Sequence, residues 1–493
     1  MNGTVHVRKG DPRLVSRRMQ SPLYIQLADS LEGMISRRSL RPGDRIPSVR
    51  QFSREQRVSV PTALSAYVLL ETRGLIEARP KSGFYVRARE ADAIPSVLRS
   101  RPAAKVSDLA HSDPLDLLLS DEYNPDIVQF GSAIPSPEIL PGVKVGRIMA
   151  AVARRLGPNG SNYDFAPGDA SLRREIARRS MAAGHTLGPE DFIITVGATE
   201  AVHVALRATC QPGDTVVVES PTFFGLLRQL RELGLKALPI PVDPVTGIDL
   251  DALARAFAKT RVSACLVIPN FHNPMGFSMP DARKRELVRL AASRGVPVIE
   301  DDIYGDIPHK GPRPRSLKAF DPEGMVILCS SFSKCVGPGY RIGYIAAGKW
   351  HDRALALKRV MSMAGPTIPT LAIAEYLRNG GYDRYLRTFR ERCRQQVGQM
   401  REAIAEAFPE EIRLSRPEGG FVLWCELPAT VDSMELFHQG RAAGIAVAPG
   451  PLFSSDGGFR NFIRINCGYP WSPQVERAVG VLGHMVRGLA ARK

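Results

Sequence analysis

Seven short apolar runs recur through the middle of the chain: DFIITVG (191–197), DTVVVES (214–220), KALPIPV (236–242), ACLVIPN (264–270), VPVIEDD (296–302), MVILCSS (325–331) and RIGYIAAG (341–348). Stretches of helical periodicity such as TEAVHVALRATC and DARKRELVRLAASRG separate them. Runs this apolar read as strands buried on both faces, and their alternation with helices is the signature of a mainly parallel sheet covered by helices on both sides. The class is therefore α/β. Such sheets bind ligands in the crevice at the carboxyl ends of their strands. At that edge the sequence collects Gly197, Ala198 and Thr199 after the first run, Pro221, Thr222 and Phe223 after the second, and Asn270 to Gly276 after the fourth. The fifth is followed by Asp301 to Tyr304 and the sixth by Ser331 to Lys334.

The 493 residues exceed what one hydrophobic core usually supports, so two or three domains are expected. Charge divides them unevenly. Residues 1–89 hold 17 Lys/Arg against 7 Asp/Glu, a net of +10 out of +16 for the whole chain. A basic lobe on a nearly neutral body suits a polyanion such as nucleic acid, although a charge run is also what a solvated face looks like. The seven cysteines are scattered, with no CxxC pair and no histidine at metal-ligand spacing, and read as reduced thiols. No metal is expected. The basic start lacks a signal peptide's apolar stretch, and no apolar run is long enough to span a bilayer, so the expected setting is the cytoplasm.

Residues 22–36 place Leu23, Leu27, Leu31, Met34 and Ile35 at helical spacing behind Pro22. After the turn at Pro42-Gly43, Ser48 and Ser59 are each positioned to cap a further helix. GLIEARPKSGFYV then alternates around a Pro-Lys-Ser-Gly turn, as a two-stranded wing does. The pattern from PGDRIPSVR through VSVPTALSAYVLLETRGLIE to GFYV resembles the winged helix-turn-helix of GntR-type bacterial regulators. The resemblance implies that Ser59, Val60, Pro61 and Thr62 open the helix that enters the major groove. It places Ser48, Arg50, Arg54 and Arg57 near DNA, with the arginines at phosphates, and Lys81, Ser82 and Gly83 at the wing tip. Pro61 departs from the polar reader often found there, which bears on the operator rather than the fold. A three-helix packing domain without a DNA role is the competing reading. The expected organisation is a basic arm (1–21), the winged domain (22–89), a Pro-containing interdomain linker (90–124) and the body (125–493).

A lone lysine in SSFSKCVGPGYRIGY would ordinarily be a solvated surface charge. YDFAPGDASLRREIA, NFHNPMG, EDDIYGD, SSFSKCVGPGYRIGY and IRINCG, in this order, nevertheless resemble fold-type I aminotransferases, in which a smaller C-terminal subdomain joins the large one. The resemblance implies pyridoxal 5'-phosphate (PLP) in Schiff-base linkage to Lys334. Asp301 would pair with the pyridinium nitrogen, Asn273 and Tyr304 with the phenolic oxygen, and Phe223, where the family often has tyrosine, would stack on the ring. Ala198, Thr199, Ser331, Ser333 and Arg341 would hold the phosphate. Tyr163 would reach the phosphate of a partner subunit, implying a homodimer, and Arg464 would grip an amino acid's carboxylate. Singly, each residue has a bland alternative, such as Asp301 capping a helix or Arg464 in a surface ion pair.

A GntR-type head on an aminotransferase-like body resembles the MocR subfamily of bacterial transcriptional regulators. That implies a DNA-binding protein sensing PLP or an amino compound through Lys334, in amino-acid or vitamin B6 metabolism. The alternative is a working aminotransferase that carries a DNA-binding domain.

Overall fold

The computed structural model describes residues 22–36, 39–40, 44–79, 82–87, 91–102, 105–109, 113–121 and 124–492. The expected basic arm (1–21), the Pro42-Gly43 turn and Lys81 lie outside the described residues. The chain forms two units that divide between Glu90 and Ala91.

The first unit contains helices α1 (Leu23–Ser36), α2 (Val49–Glu55) and α3 (Val60–Thr72) and strands β1 (Ile76–Arg79) and β2 (Gly83–Val86). Ser48 and Ser59 cap α2 and α3, accepting from the amides of Gln51 at 3.2 Å and Thr62 at 3.3 Å. Arg57 turns the chain between the two helices in the left-handed region, with φ 54°. The β strands pair antiparallel from Ile76↔Val86 to Arg79↔Gly83, which makes the wing. Leu27, Ala28 and Leu31 of α1 bury against Phe52, Ala63, Ala66, Tyr67 and Leu70, while Leu23 and Met34 near its two ends stay exposed. Tyr67 sits at the centre, edge-on to Phe84, and its hydroxyl donates to the Pro47 carbonyl at 2.7 Å.

The second unit is built on a sheet of eight strands in the order Phe192–Thr195, Gly343–Ala346, Val326–Ser331, Val298–Asp301, Ala264–Val267, Thr215–Ser220, Lys236–Asp243 and Gly247–Ile248. The five strands from Val326–Ser331 to Lys236–Asp243 are mutually parallel, and Gly343–Ala346 runs antiparallel to both of its neighbours. All seven expected strands are present. Alternate residues feed two cores: Val217, Cys265 and Val298 face one, and Val216, Val218, Ala264 and Ile299 the other. A four-stranded antiparallel sheet (Arg413–Leu414, Val422–Glu426, Phe462–Asn466, Ala448–Pro449) packs with helices Gly381–Ala407 and Pro473–Ala490 as the smaller subdomain.

The stretch 90–124, expected to be an interdomain linker, differs from that expectation from Ala91 onward. Ile94, Val97, Leu115 and Leu118 are buried in the body's cores. Ser100 bonds to the amide and carbonyl of Val242, Ser107 forms a β-bridge with Ala237, and Asp121 takes both ends of the Arg441 guanidinium at 2.6 and 3.0 Å. Helix Asp113–Ser120 lies within this strap. Beyond the short apolar turn at Leu115 to Leu119, the stretch has little periodicity, yet Ile94 and Val97 as well as Leu115 and Leu118 fill sites in the body's cores.

Candidate functional site

The strand order converts distant sequence positions into neighbours. Asp301 ends its strand, and Lys334, Asn273, Phe223 and the start of helix Gly197–Thr209 follow the carboxyl ends of theirs, all on one edge of the sheet. Arg341 joins them because its strand, Gly343–Ala346, runs the opposite way and begins at that edge.

Lys334 is half-buried and its Nζ donates to the Ala133 carbonyl at 2.8 Å. The motif EDDIYGD supplies four acids, and three are committed. Glu300 accepts from the amides of Leu317 and Lys318 at 2.7 and 3.1 Å. Asp302 takes Asn270 and Arg313, and Asp306 takes Arg313 and the Tyr382 hydroxyl. Asp301 is buried, and its Oδ1 has no hydrogen-bond partner. Burial, reinforced by Asp302, pushes its carboxyl up to about 7, against the pull of the Lys334 ammonium. A buried carboxylate oxygen left waiting beside an amine fits a ligand that brings an N–H, as a pyridinium does.

Tyr304 is buried edge-on to Phe421 and lies beside Asn273. Burial raises its phenol well above the ordinary value, and the Arg464 charge opposes that rise. Arg464 is fully buried, not part of a surface ion pair. Its Nη1 donates to Asn273 Oδ1 at 3.2 Å, its Nη2 donates to the Gly131 carbonyl, and its guanidinium lies 5.0 Å from the Phe453 ring centre and 5.3 Å from that of Phe224. The residues expected at the ring oxygen and at a carboxylate are thus in direct contact.

On the phosphate side, Ser331 and Ser333 are buried, with the Ser333 amide donating to Ser331 Oγ at 3.3 Å. Ala198 and Thr199 lie in the first turn of their helix, where amides lack intrahelical partners. Arg341 Nη2 donates to the Val196 carbonyl at 2.9 Å and lies so close to Gly197 that a Cβ there would fall 2.7 Å from it. Gly197 also has φ 80°, and it is this left-handed backbone that favours glycine, since the Arg341 guanidinium could shift to admit a side chain. Phe223 is half-buried against Phe224, with ring centres 4.6 Å apart. Tyr163 is the exception: it is 69% exposed, its ring against Phe165, and among the described contacts it touches no other expected site residue. The residues present fit PLP.

Sequence reasoning missed the aromatic surround of Arg464, formed by Phe224 and Phe453, and the trio Glu200, Lys358 and Ser362 behind the helix start. PLFSS (451–455) is the only local hint of the first. Nothing local signals the second.

In the winged unit, Ser48, Arg50, Arg54, Arg57, Ser59 and Pro61 are exposed, whereas Thr62, Ser82 and Gly83 are partly buried. Ser59 and Thr62 hydroxyls bond to each other at 2.7 Å, and Ser82 Oγ bonds to the Tyr85 hydroxyl at 2.6 Å. Val60, expected at the major groove, continues with Leu64 and Val68, which the sequence reading did not single out, as an exposed apolar line along α3.

Residues 139–482 match the family described as aminotransferase class I and II, and residues 23–86 match bacterial regulatory proteins, gntR family. The chain is 37% identical over 464 residues to the uncharacterized HTH-type transcriptional regulator YjiR of Escherichia coli (strain K12), covering 94% of this chain and 98% of that protein. It is 36% identical over 471 residues to YdcR, described likewise, of the same strain, covering 94% and 99%. Among solved structures, the α-aminoadipate aminotransferase LysN of Thermus thermophilus, complexed with N-(5'-phosphopyridoxyl)-L-leucine, superposes with a TM-score of 0.72 at 27% identity, covering 77% of this chain and 96% of that one. Aminotransferases of this class depend on PLP, and the gntR match makes the first unit a DNA-binding head. The chain belongs to the aminotransferase class I and II family and, with its gntR head, is a transcriptional regulator of the MocR architecture.

Proposed function

We propose that the protein regulates transcription as a cytoplasmic homodimer whose affinity for its operator, or the shape it imposes there, is set by PLP held on Lys334 and by an amino compound whose carboxylate engages Arg464. The observation that carries this reading is Asp301, the one acid of its motif with an uncommitted buried oxygen, beside Lys334. PLP, when bound, supplies an electrophilic carbon for a primary amine and a ring that withdraws electrons. The chain's residues would do the rest: Asp301 holds a proton at the ring nitrogen, Asn273 and Tyr304 orient the ring oxygen, and Phe223 covers one ring face. Ser331, Ser333, Arg341 and the helix start at Ala198 and Thr199 would bind the phosphate. Arg464 would exchange its neutral partners for a carboxylate.

Support for a second copy comes from an exposed apolar face. Tyr163, Phe165, Val360 and Met363 are 69%, 60%, 87% and 48% exposed, and the short strands Asp164–Phe165 and Ala364–Gly365 pair between them. Seven free, buried cysteines suit a reducing compartment. In the head, Ser48, Arg50, Arg54 and Arg57 would meet the DNA backbone, and Ser59, Pro61 and Thr62 the base edges. Lys81, Ser82 and Gly83 would form the wing tip, and Val60 and Leu64 suit thymine methyl groups. Amino-acid or vitamin B6 metabolism is the proposed context.

One experiment tests the reading: operator footprinting with and without PLP and a panel of amino acids, set beside multiple-turnover keto-acid production from the same donors. A discrete footprint altered by these ligands, without sustained turnover, is expected. Sustained turnover with no discrete footprint would overturn it in favour of an aminotransferase.

A further inference from the structure

Lys358, on helix His351–Met361, is 1% exposed. Its Nζ donates to Glu200 Oε2 at 2.9 Å and to Ser362 Oγ at 2.6 Å, and Ser362 Oγ donates to Glu200 Oε1 at 2.6 Å. The Glu200 carboxylate is therefore fixed at both oxygens, and it still accepts from the Val196 amide at 2.5 Å. A buried ion pair is a poor way to gain stability, because desolvation offsets most of its attraction. What it secures here is direction. The Val196 amide is held by Glu200, the Val196 carbonyl is held by Arg341, and the next residue, Gly197, opens the helix whose first amides face the proposed phosphate site.

The trio also reaches the other way. Two residues beyond Ser362 begins the strand Ala364–Gly365, paired with Asp164–Phe165, and Tyr163 immediately precedes that pairing. Burial raises the Asp164 carboxyl above its ordinary value, and the Asp169 amide, Arg173 and, least, Lys358 oppose that rise only in part. Glu200 thus holds the Val196 amide on one side and, through Ser362, the chain just before the strand pair that adjoins Tyr163 on the other.

We propose that Glu200, fixed by Lys358 and Ser362, is a positioning residue for phosphate binding that also sets the Tyr163 arm offered to a second copy. This rests on the reading of the site as one for PLP in a homodimer. Glu200 touches no cofactor atom in this scheme. It acts through the Val196–Gly197 peptide and through Ser362.

The test compares PLP with pyridoxal, which carries the same aldehyde and ring but no phosphate, by titrating cofactor-free full-length protein and reading the absorbance of the bound form. Glu200→Gln should weaken PLP about tenfold, the effect of losing a charge-assisted hydrogen bond. It should leave pyridoxal within about twofold, since a merely structural defect affects both ligands alike. Ser362→Ala retains the Glu200–Lys358 pair, serves if the first variant folds poorly, and should weaken PLP selectively in the same way. In a Tyr163→Phe background, either substitution should cost less than in the native protein, because part of its effect runs through the arm. Equal losses for PLP and pyridoxal, or unchanged PLP affinity, overturn the positioning role. Strictly multiplicative effects with Tyr163→Phe overturn the link to the arm. Native protein that takes up no PLP sinks the site reading, and this inference with it.

Discussion

Lys334 Nζ donates to the backbone carbonyl of Ala133 at 2.8 Å, so the amine is held at the strand edge, beside the Asp301 carboxylate. If Lys334 is the residue that takes PLP, as proposed, the consequence is spectroscopic. The protein reconstituted with PLP is expected to absorb in the visible, and borohydride should fix the cofactor on the peptide containing Lys334. Lys334→Ala should lose both signals; cofactor still fixed on that variant would refute the assignment.

Asp301 gives a pH signature. Its folded carboxyl sits near 7, above the ordinary value of 3.8, so its protonated form stabilises the cofactor-free protein fully at low pH, and that contribution is lost as pH rises through about 7. Asp301→Asn removes the buried charge. The variant's body should unfold at increasingly higher temperature than the native protein between about pH 4 and pH 7, with the gap constant above about pH 8 and worth at most ~4 kcal/mol. A gap that does not change with pH would contradict the assignment.

Arg464 separates effector from cofactor. Arg464→Lys keeps a charge but loses the planar fork between Phe224 and Phe453. PLP uptake should stay within a few-fold, while the amino-acid concentration that produces a half-maximal spectral change rises about tenfold or more, the order expected for losing a bidentate contact. Loss of PLP uptake in step with amino-acid response would show that Arg464 serves the fold instead.

For the reading head, Arg54→Ala should weaken binding to all DNA sequences and flatten the salt dependence by about one unit of slope for one phosphate contact. Thr62→Ala should change which bases are preferred. Because Ser59 accepts the Thr62 amide as helix cap, Ser59→Ala should also destabilise α3, by about 1 kcal/mol. Anisotropy titrations over a salt series, with unfolding curves, check all three.

The strap before the body can be tested through Leu118, whose side chain fills the space a Cβ on Gly131 would need. Leu118→Ala should destabilise the body by ~2–5 kcal/mol, as deletion from a packed core does. A surface linker residue would cost almost nothing.

The sequence by itself determined the α/β class, all seven expected strands, the caps at Ser48 and Ser59 and the two-stranded wing, because each rests on local periodicity or capping chemistry, and its contiguous motifs put Lys334, Asp301 and Arg464 forward as site candidates. Tertiary structure alone decided which acid of EDDIYGD is uncommitted, since the partners that occupy Glu300, Asp302 and Asp306 come from residues 270, 313, 317, 318 and 382. It also decided that the described residues between Ala91 and Asp121 pack on the body, because isolated Ile94 and Val97 and one short apolar turn at Leu115 to Leu119 do not signal burial until a shaped surface receives them. Glu200 and Lys358 meet at 2.9 Å although 158 residues separate them. No periodicity records such a contact, because it exists only once the helices Gly197–Thr209 and His351–Met361 pack together.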